Sequence, residues 1–256
     1  MSRKGATVAV RELRVGDFAR LDRDRSRRVG VPEVILGEGK SVPQLLGIVQ
    51  ALADRGEGAL ISRPSPAQRR ALRAARRGGL PVTVHPGGRL ARLHGPLGTR
   101  YRPGTVGIVT AGTSDVALAE EARSILVELG IRCVTAYDVG VAGLHRMLRA
   151  MRTLERRRPS IYLVFAGREG ALPTVVAGLV RAPVVGVPTS VGYGRGARGE
   201  GALTAMLQSC APIAVVNIDA AVPAALFAAQ HFAEPSPPSS PSTAIPDRAR
   251  RLMQRP

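Results

Sequence analysis

From residue 105 onward, short and wholly apolar runs alternate with longer segments whose apolar positions recur at helical spacing. The apolar runs are TVGIVT at 105–110, then 131–137, 161–166, PVVGVP at 183–188, and 213–218. The helical segments are 116–129, 143–156, 171–180, 202–208 and 220–232. A strand that is apolar at every position, rather than at every second one, is covered on both faces. Strict alternation of such strands with helices predicts an α/β fold with a five-stranded parallel sheet. The expected arrangement is a three-layer αβα, flavodoxin/Rossmann-like sandwich.

The first hundred residues are less regular and predict a small N-terminal α/β domain. Residues 8–21 carry apolar positions at helical spacing, and 27–40 form a strand-like run between charged ends. Ser41 caps a further helix with Pro43 in its first turn. Residues 59–62 predict a strand, 66–77 a basic helix and 80–84 another strand, before a turn at His85-Pro86-Gly87-Gly88. The expected boundaries are a domain at 1–95, a Gly/Pro-rich linker at 96–104, a catalytic domain at 105–233 and a tail at 234–256. The tail is Pro/Ser-rich and then basic, which predicts disorder.

Composition narrows the class. No apolar run reaches membrane-span length, and the amino terminus lacks the apolar core of a signal peptide. Cys133 and Cys210 form no metal-binding spacing, so a cytoplasmic, reduced protein with no membrane partner is expected. The formal charge is +18, and residues 1–100 carry +12 of it. Such an excess suits a polyanion, but no aromatic residue is interleaved with the basic runs and no zinc, RRM or KH pattern occurs. An anionic small molecule is therefore favoured over nucleic acid as the partner.

Four loops follow predicted strand ends: AGTSD (111–115), YDVGVAGLHR (137–146), AGREGALP (166–173) and PTSVGYGRGARGEG (188–201). A doubly wound sheet gathers such loops along one edge. The candidates for binding are Thr110, Gly112, Thr113, Ser114, Asp115, Arg146, Gly167, Ser190, Gly192 and Gly194. Asp138, His145, Glu169 and Cys210 are the candidates for chemistry. Glycine-rich loops let backbone N–H groups approach a phosphate. Several candidates also have plain structural roles: Ser114 and Asp115 fit a helix cap, and His145 fits a surface helix. Cys210 fits a small core residue, and Cys133, inside a strand, is expected in the core. No HExxH, Walker lysine or G-x-S-x-G elbow is present, and no metal site is expected.

The order AGTSD, GREGALPTVVAGL, VPTSVGYG resembles the aminoimidazole ribonucleotide carboxylase fold. That family has a histidine directly before the Leu-Pro of its third loop, where this chain has Ala171. YDVGVAGLHR, AMLQSCAP, VVNID and the N-terminal FARLDRDRSRRVGVPEVILGEGK resemble a sister family, LarB, of nickel-pincer cofactor biosynthesis. The resemblance covers about residues 15–232. It implies a pyridinium-3,5-biscarboxylic acid mononucleotide synthase. Such an enzyme carboxylates the pyridinium ring of nicotinic acid adenine dinucleotide, hydrolyses its phosphoanhydride and releases AMP. The co-substrate is CO2 or bicarbonate, there is no covalently bound cofactor, and Mg²⁺ is an optional ion. Cys210, within SCAP, takes the nucleophile's place, with Glu169, Asp138 and His145 left for proton transfer or orientation. An octamer-like homo-oligomer with sites shared between subunits is implied. The alternatives are a ribonucleotide carboxylase/mutase-like enzyme, or an anion- or nucleic-acid-binding module. The chain departs from the LarB pattern at GYGRGARGEG, where GYGASFGG is usual, and at NIDAAVPA, where NIDNGFGA is usual.

Overall fold

In a computed structural model the chain is described over residues 12–192 and 194–234. Residues 8–11 of the first expected helix, and the expected tail beyond Glu234, lie outside the described residues.

The amino-terminal lobe opens with a hairpin of β1 (Glu12–Val15) and β2 (Ala19–Asp22), not a helix. Leu13, Val15 and Leu21 alternate with exposed neighbours and turn inward, which is the two-residue period of a strand. Gly16, at φ 54, supplies the turn. Then come α1 (Arg25–Val29), β3 (Val34–Leu36), α2 (Val42–Ala53), β4 (Ala59–Ser62), α3 (Pro66–Arg77), β5 (Val82–Val84) and β6 (Leu90–Leu93). Ser41 and Ser65 each close a capping box, with Gln44 and Gln68. The sheet order is β3-β4-β6-β5, with β6 antiparallel to both neighbours. β6 completes a hairpin around the expected turn at 85–88, as His85 N–H donates to Leu90 O at 2.9 Å.

The second lobe contains β7 (Thr105–Thr110), α4 (Val116–Glu128), β8 (Arg132–Ala136), α5 (Leu144–Glu155), β9 (Ile161–Ala166) and α6 (Ala171–Ala177). It continues with β10 (Val184–Pro188), α7 (Glu200–Leu207), β11 (Ile213–Val215) and α8 (Ala221–Gln230). All strand pairs are parallel, in the order β11-β10-β9-β7-β8. This is the flavodoxin order, in which the winding reverses between the first and third strands. The sheet is covered on both faces as expected. Ile161, Leu163 and Phe165 of β9 face α4 and α8, while Tyr162, Val164 and Ala166 face α5, α6 and α7.

The lobes share one core. In β4, Ala59 and Ile61 pack into the amino-terminal lobe, whereas Leu60 joins Val31 and Leu90 against α4 and α8. Residues 95–104 are bound to both lobes. Gly58 N–H donates to Pro96 O at 3.0 Å, Leu97 and Tyr101 pack on the shared core, and Tyr101 forms a bridge with Ala233. Four cationic or imidazole side chains of the first lobe meet two carboxylates of α4. Arg63 and Arg89 reach Glu121; His85 and Arg92 reach Glu128. Positions 121 and 128 are two helical turns apart and so share one face.

Candidate active site

A cleft of about 290 Å³ opens at the carboxyl ends of the parallel strands. It stands where β7 and β9 part, the switch point at which doubly wound sheets bind ligands. Gly112, Ser114 and Asp115 come from the loop after β7, and Gly140 and Val141 from the loop after β8. Gly167, Arg168, Glu169 and Ala171 follow β9, and Val191 follows β10. The amino ends of α4 and α5 stand at the same edge, so their unpaired N–H groups make its potential more positive.

The walls are tied together by short polar contacts. Asp115 is buried; its Oδ2 accepts the Gly112 N–H at 2.8 Å and its Oδ1 accepts the Thr189 hydroxyl at 2.6 Å. It occupies the amino-cap position of α4 but makes no cap bond with its side chain. Instead it joins the first loop to the fourth. Burial pushes its carboxyl above the ordinary value, against the pull of those two hydrogen bonds, and nearby Asp219 adds to the rise. Arg168 N–H donates to Val191 O at 3.2 Å. A Cβ on Gly167 would lie 2.2 Å from Val191 O, so only glycine lets the third and fourth loops approach this closely. Gly170, at φ 63, precedes α6, and a Cβ there would lie 2.6 Å from Ala202 O.

The structure brings together Gly112, Ser114, Asp115, Gly167 and Glu169 among the expected site residues. Glu169 is exposed, with Arg168 Nε 3.7 Å from its carboxylate. Thr110 is buried beneath, and its Oγ1 accepts the Asp138 N–H at 3.0 Å. Asp138 Oδ2 accepts from Arg146 Nη1 at 3.2 Å, while His145 is exposed in the first turn of α5. Asp138 on the second loop, and His145 and Arg146 at the start of α5, lie beyond the cleft lining, as Thr113 does after β7. Ser190 is exposed and its N–H donates to Asp219 Oδ1 at 2.8 Å; Gly192 and Gly194 continue that loop away from the lining. Thr189 and Asp219, which hold the fourth loop, are the residues that pattern reasoning passed over. The signal for Asp219 was its place at the end of the last strand run.

Cys210 is exposed and lies at the other edge of the sheet. β10 ends at the cleft, α7 runs back, and β11 begins level with the start of β10, Ile213 pairing with Val184. A five-residue strand spans roughly 17 Å, so within one chain the thiol and the cleft stand at opposite ends of the sheet. Cys133 is part-buried in β8 and packs against the core. Burial pushes its thiol up to about 12, so it holds its proton at neutral pH. Among the described residues no three His, Cys, Asp or Glu side chains gather as a metal site. No described helix is long and apolar enough to cross a membrane.

A flavodoxin-order sheet with this cleft defines a class, and residues 105–240 match the family described as AIR carboxylase. Residues 12–94 match the LarB/PurE-like N-terminal domain. The chain is 37% identical over 212 residues, 82% of each chain, to an uncharacterized protein of Methanocaldococcus jannaschii. It is 32% identical over 132 residues to the N5-carboxyaminoimidazole ribonucleotide mutase of the same organism, covering 49% of this chain and 77% of the mutase. The mutase of Pyrococcus horikoshii is 32% identical over 129 residues, 48% of this chain and 69% of that one. The chain is an AIR carboxylase-like protein of the carboxylase/mutase type. With both domain matches in one chain, it belongs to the LarB family.

Proposed function

We propose that the protein carboxylates the pyridinium ring of nicotinic acid adenine dinucleotide and hydrolyses its phosphoanhydride. The products are pyridinium-3,5-biscarboxylic acid mononucleotide and AMP, and the step opens nickel-pincer nucleotide synthesis. The observation that carries this reading is Ala171. It lines the cleft with a methyl group where, by resemblance, a ribonucleotide carboxylase presents its histidine. Carboxylation here therefore proceeds without that imidazole.

A pyridinium carbon is electron-poor and does not attack CO2. The Cys210 thiolate adds to the ring and forms a C–S bond, converting the cation to a neutral enamine. The enamine carbon then attacks CO2 and forms the new C–C bond. A base removes the proton from that carbon, and the electron pair expels the thiolate and restores the aromatic ring. Covalent catalysis of this kind divides one hard step into several easier ones. Glu169, exposed at the cleft, is suited to take the proton, and the Asp138–Arg146 pair and His145 to orient the substrate's anionic groups. Thr113, Ser114, Gly167, Gly192 and Gly194, with the Ser190 hydroxyl, offer N–H and hydroxyl donors to phosphate or carboxylate, while the Gly112 N–H is held by Asp115. The position of Cys210 favours a thiol supplied by a neighbouring copy, and hence an octamer-like homo-oligomer.

The test incubates the protein with nicotinic acid adenine dinucleotide and labelled bicarbonate, with and without Mg²⁺. Label in the pyridinium product together with AMP is expected. Absence of both overturns the proposal, and label fixed instead in a parallel incubation with aminoimidazole ribonucleotide establishes the ribonucleotide carboxylase-like alternative.

A further inference from the structure

We infer that Arg63, from the amino-terminal lobe, is a positioning residue for the cleft, acting through Asp219 on the wall formed by Thr189, Ser190 and Val191. Arg63 follows β4 and reaches across the lobe boundary with both ends of its guanidinium. Nε lies 3.2 and 3.3 Å from the two carboxylate oxygens of Glu121, and Nη2 donates to the backbone carbonyl of Asp219. Nη1 stands 3.7 Å from Glu38. Asp219 in turn holds the fourth loop at two points. Its N–H donates to Pro188 O at 2.9 Å and its Oδ1 accepts the Ser190 N–H at 2.8 Å. Val191, one residue further, lines the cleft.

Two further features separate this from an ordinary lobe contact. Arg63 and Asp219 both adopt left-handed backbone, at φ 50 and φ 56. Side-chain-bearing residues hold that conformation only where their surroundings over-determine it. Here the two ends of a single hydrogen bond are both held so. Second, Arg89 donates to the same Glu121 carboxylate at 3.0 Å but has no bond to Asp219. The lobe boundary thus contains two arginines on one carboxylate, and one of them continues to the cleft. Arg63 serves Glu121 and Asp219 from two separate nitrogens, Nε and Nη2, whereas a lysine carries its three donors on one nitrogen at the end of a differently shaped stem.

Arg63→Lys and Arg89→Lys make a matched pair, since each keeps a cation beside Glu121. Hydrogen exchange is followed by mass spectrometry on peptides covering residues 189–191. Exchange about tenfold faster is expected in Arg63→Lys, as for loss of one charge-assisted bond, and wild-type exchange in Arg89→Lys. Asp219→Gly keeps the backbone conformation, removes the Ser190 acceptor and reproduces the Arg63→Lys pattern; adding Arg63→Lys to it has little further effect. Equal exchange in the two lysine variants overturns the inference. The kinetic consequence rests on the carboxylase proposal: KM for the dinucleotide rises several-fold in Arg63→Lys with kcat less affected, and neither changes in Arg89→Lys. If the wild type does not carboxylate the dinucleotide, that proposal fails while the exchange comparison still decides the role of Arg63.

Discussion

Glu121 offers the most direct test of how the lobes are joined. Its side chain is 0% exposed and accepts from the Ser62 hydroxyl at 2.6 Å, from Arg63 Nε and from Arg89 Nε. Glu121→Ala leaves two guanidiniums and a hydroxyl without their shared acceptor. Deleting one partner of a buried ion pair costs about 3–5 kcal/mol. The arginine side chains are 26% and 39% exposed, so both regain water. That places the cost at the lower end, about 3 kcal/mol. For a chain of this size it corresponds to a midpoint lower by roughly 6–12 °C. Urea and thermal unfolding followed by circular dichroism measure it. Glu121→Gln keeps the volume and one acceptor oxygen, and its loss is smaller. A Glu121→Ala protein within about 0.5 kcal/mol of wild type, the range of ordinary surface changes, refutes the idea that this carboxylate joins the lobes.

Cys210→Ala is expected to lower carboxylation by about 10²-fold or more with an unchanged melting temperature, and Cys210→Ser to rescue poorly because a hydroxyl is hardly ionised near neutral pH; wild-type turnover in Cys210→Ala removes covalent catalysis by this residue. Mixing unfolded-and-refolded Cys210→Ala with Glu169→Gln restores activity if the thiol and the cleft come from different copies, and leaves it at background if they do not. Asp115 has its carboxyl raised above the ordinary 3.8, so between its unfolded and folded values the native state binds more protons than the unfolded chain, and stability falls as pH rises through that window. Asp115→Asn keeps a partner for both Gly112 and Thr189, so its urea midpoint gains on wild type as pH climbs above about 4 and converges with it below; parallel midpoint curves refute this. Gly167→Ala forces apart the third and fourth loops at a cost of about 1–3 kcal/mol, and a KM unaffected by that change would separate the cleft from substrate binding.

The central sheet was legible because its strands are buried on both faces. A run such as IYLVFA has few alternatives once helices of opposite periodicity flank it. The hairpin at 12–22 was missed because Leu13, Val15 and Leu21 also fit helical spacing, and Gly16-Asp17, the turn between the strands, carries less apolar weight than they do. The loops lining the cleft were found from their position after strands. Thr189, Asp219 and Arg63 were not, since their roles depend on bonds to residues 74, 29 and 156 positions away. Asp115 was found but its role differs: the hydrogen-bonding capacity that suggested a helix cap is used to join two loops.

The two ends of the sheet carry different parts of the proposed chemistry, as the topology of a parallel sheet favours. In a parallel sheet every strand ends at one edge, and every returning helix delivers the chain to the other. A residue just before a strand, as Cys210 is before β11, therefore belongs to the end of the sheet away from the loops that follow the strands of its own chain. Leu207, three residues before Cys210, is exposed as well. A nucleophile at this edge acts on a substrate in the cleft only if another copy presents its strand-end loops to it. Isolated subunits would then bind the dinucleotide without carboxylating it, and assembly would be a condition of chemistry rather than of folding.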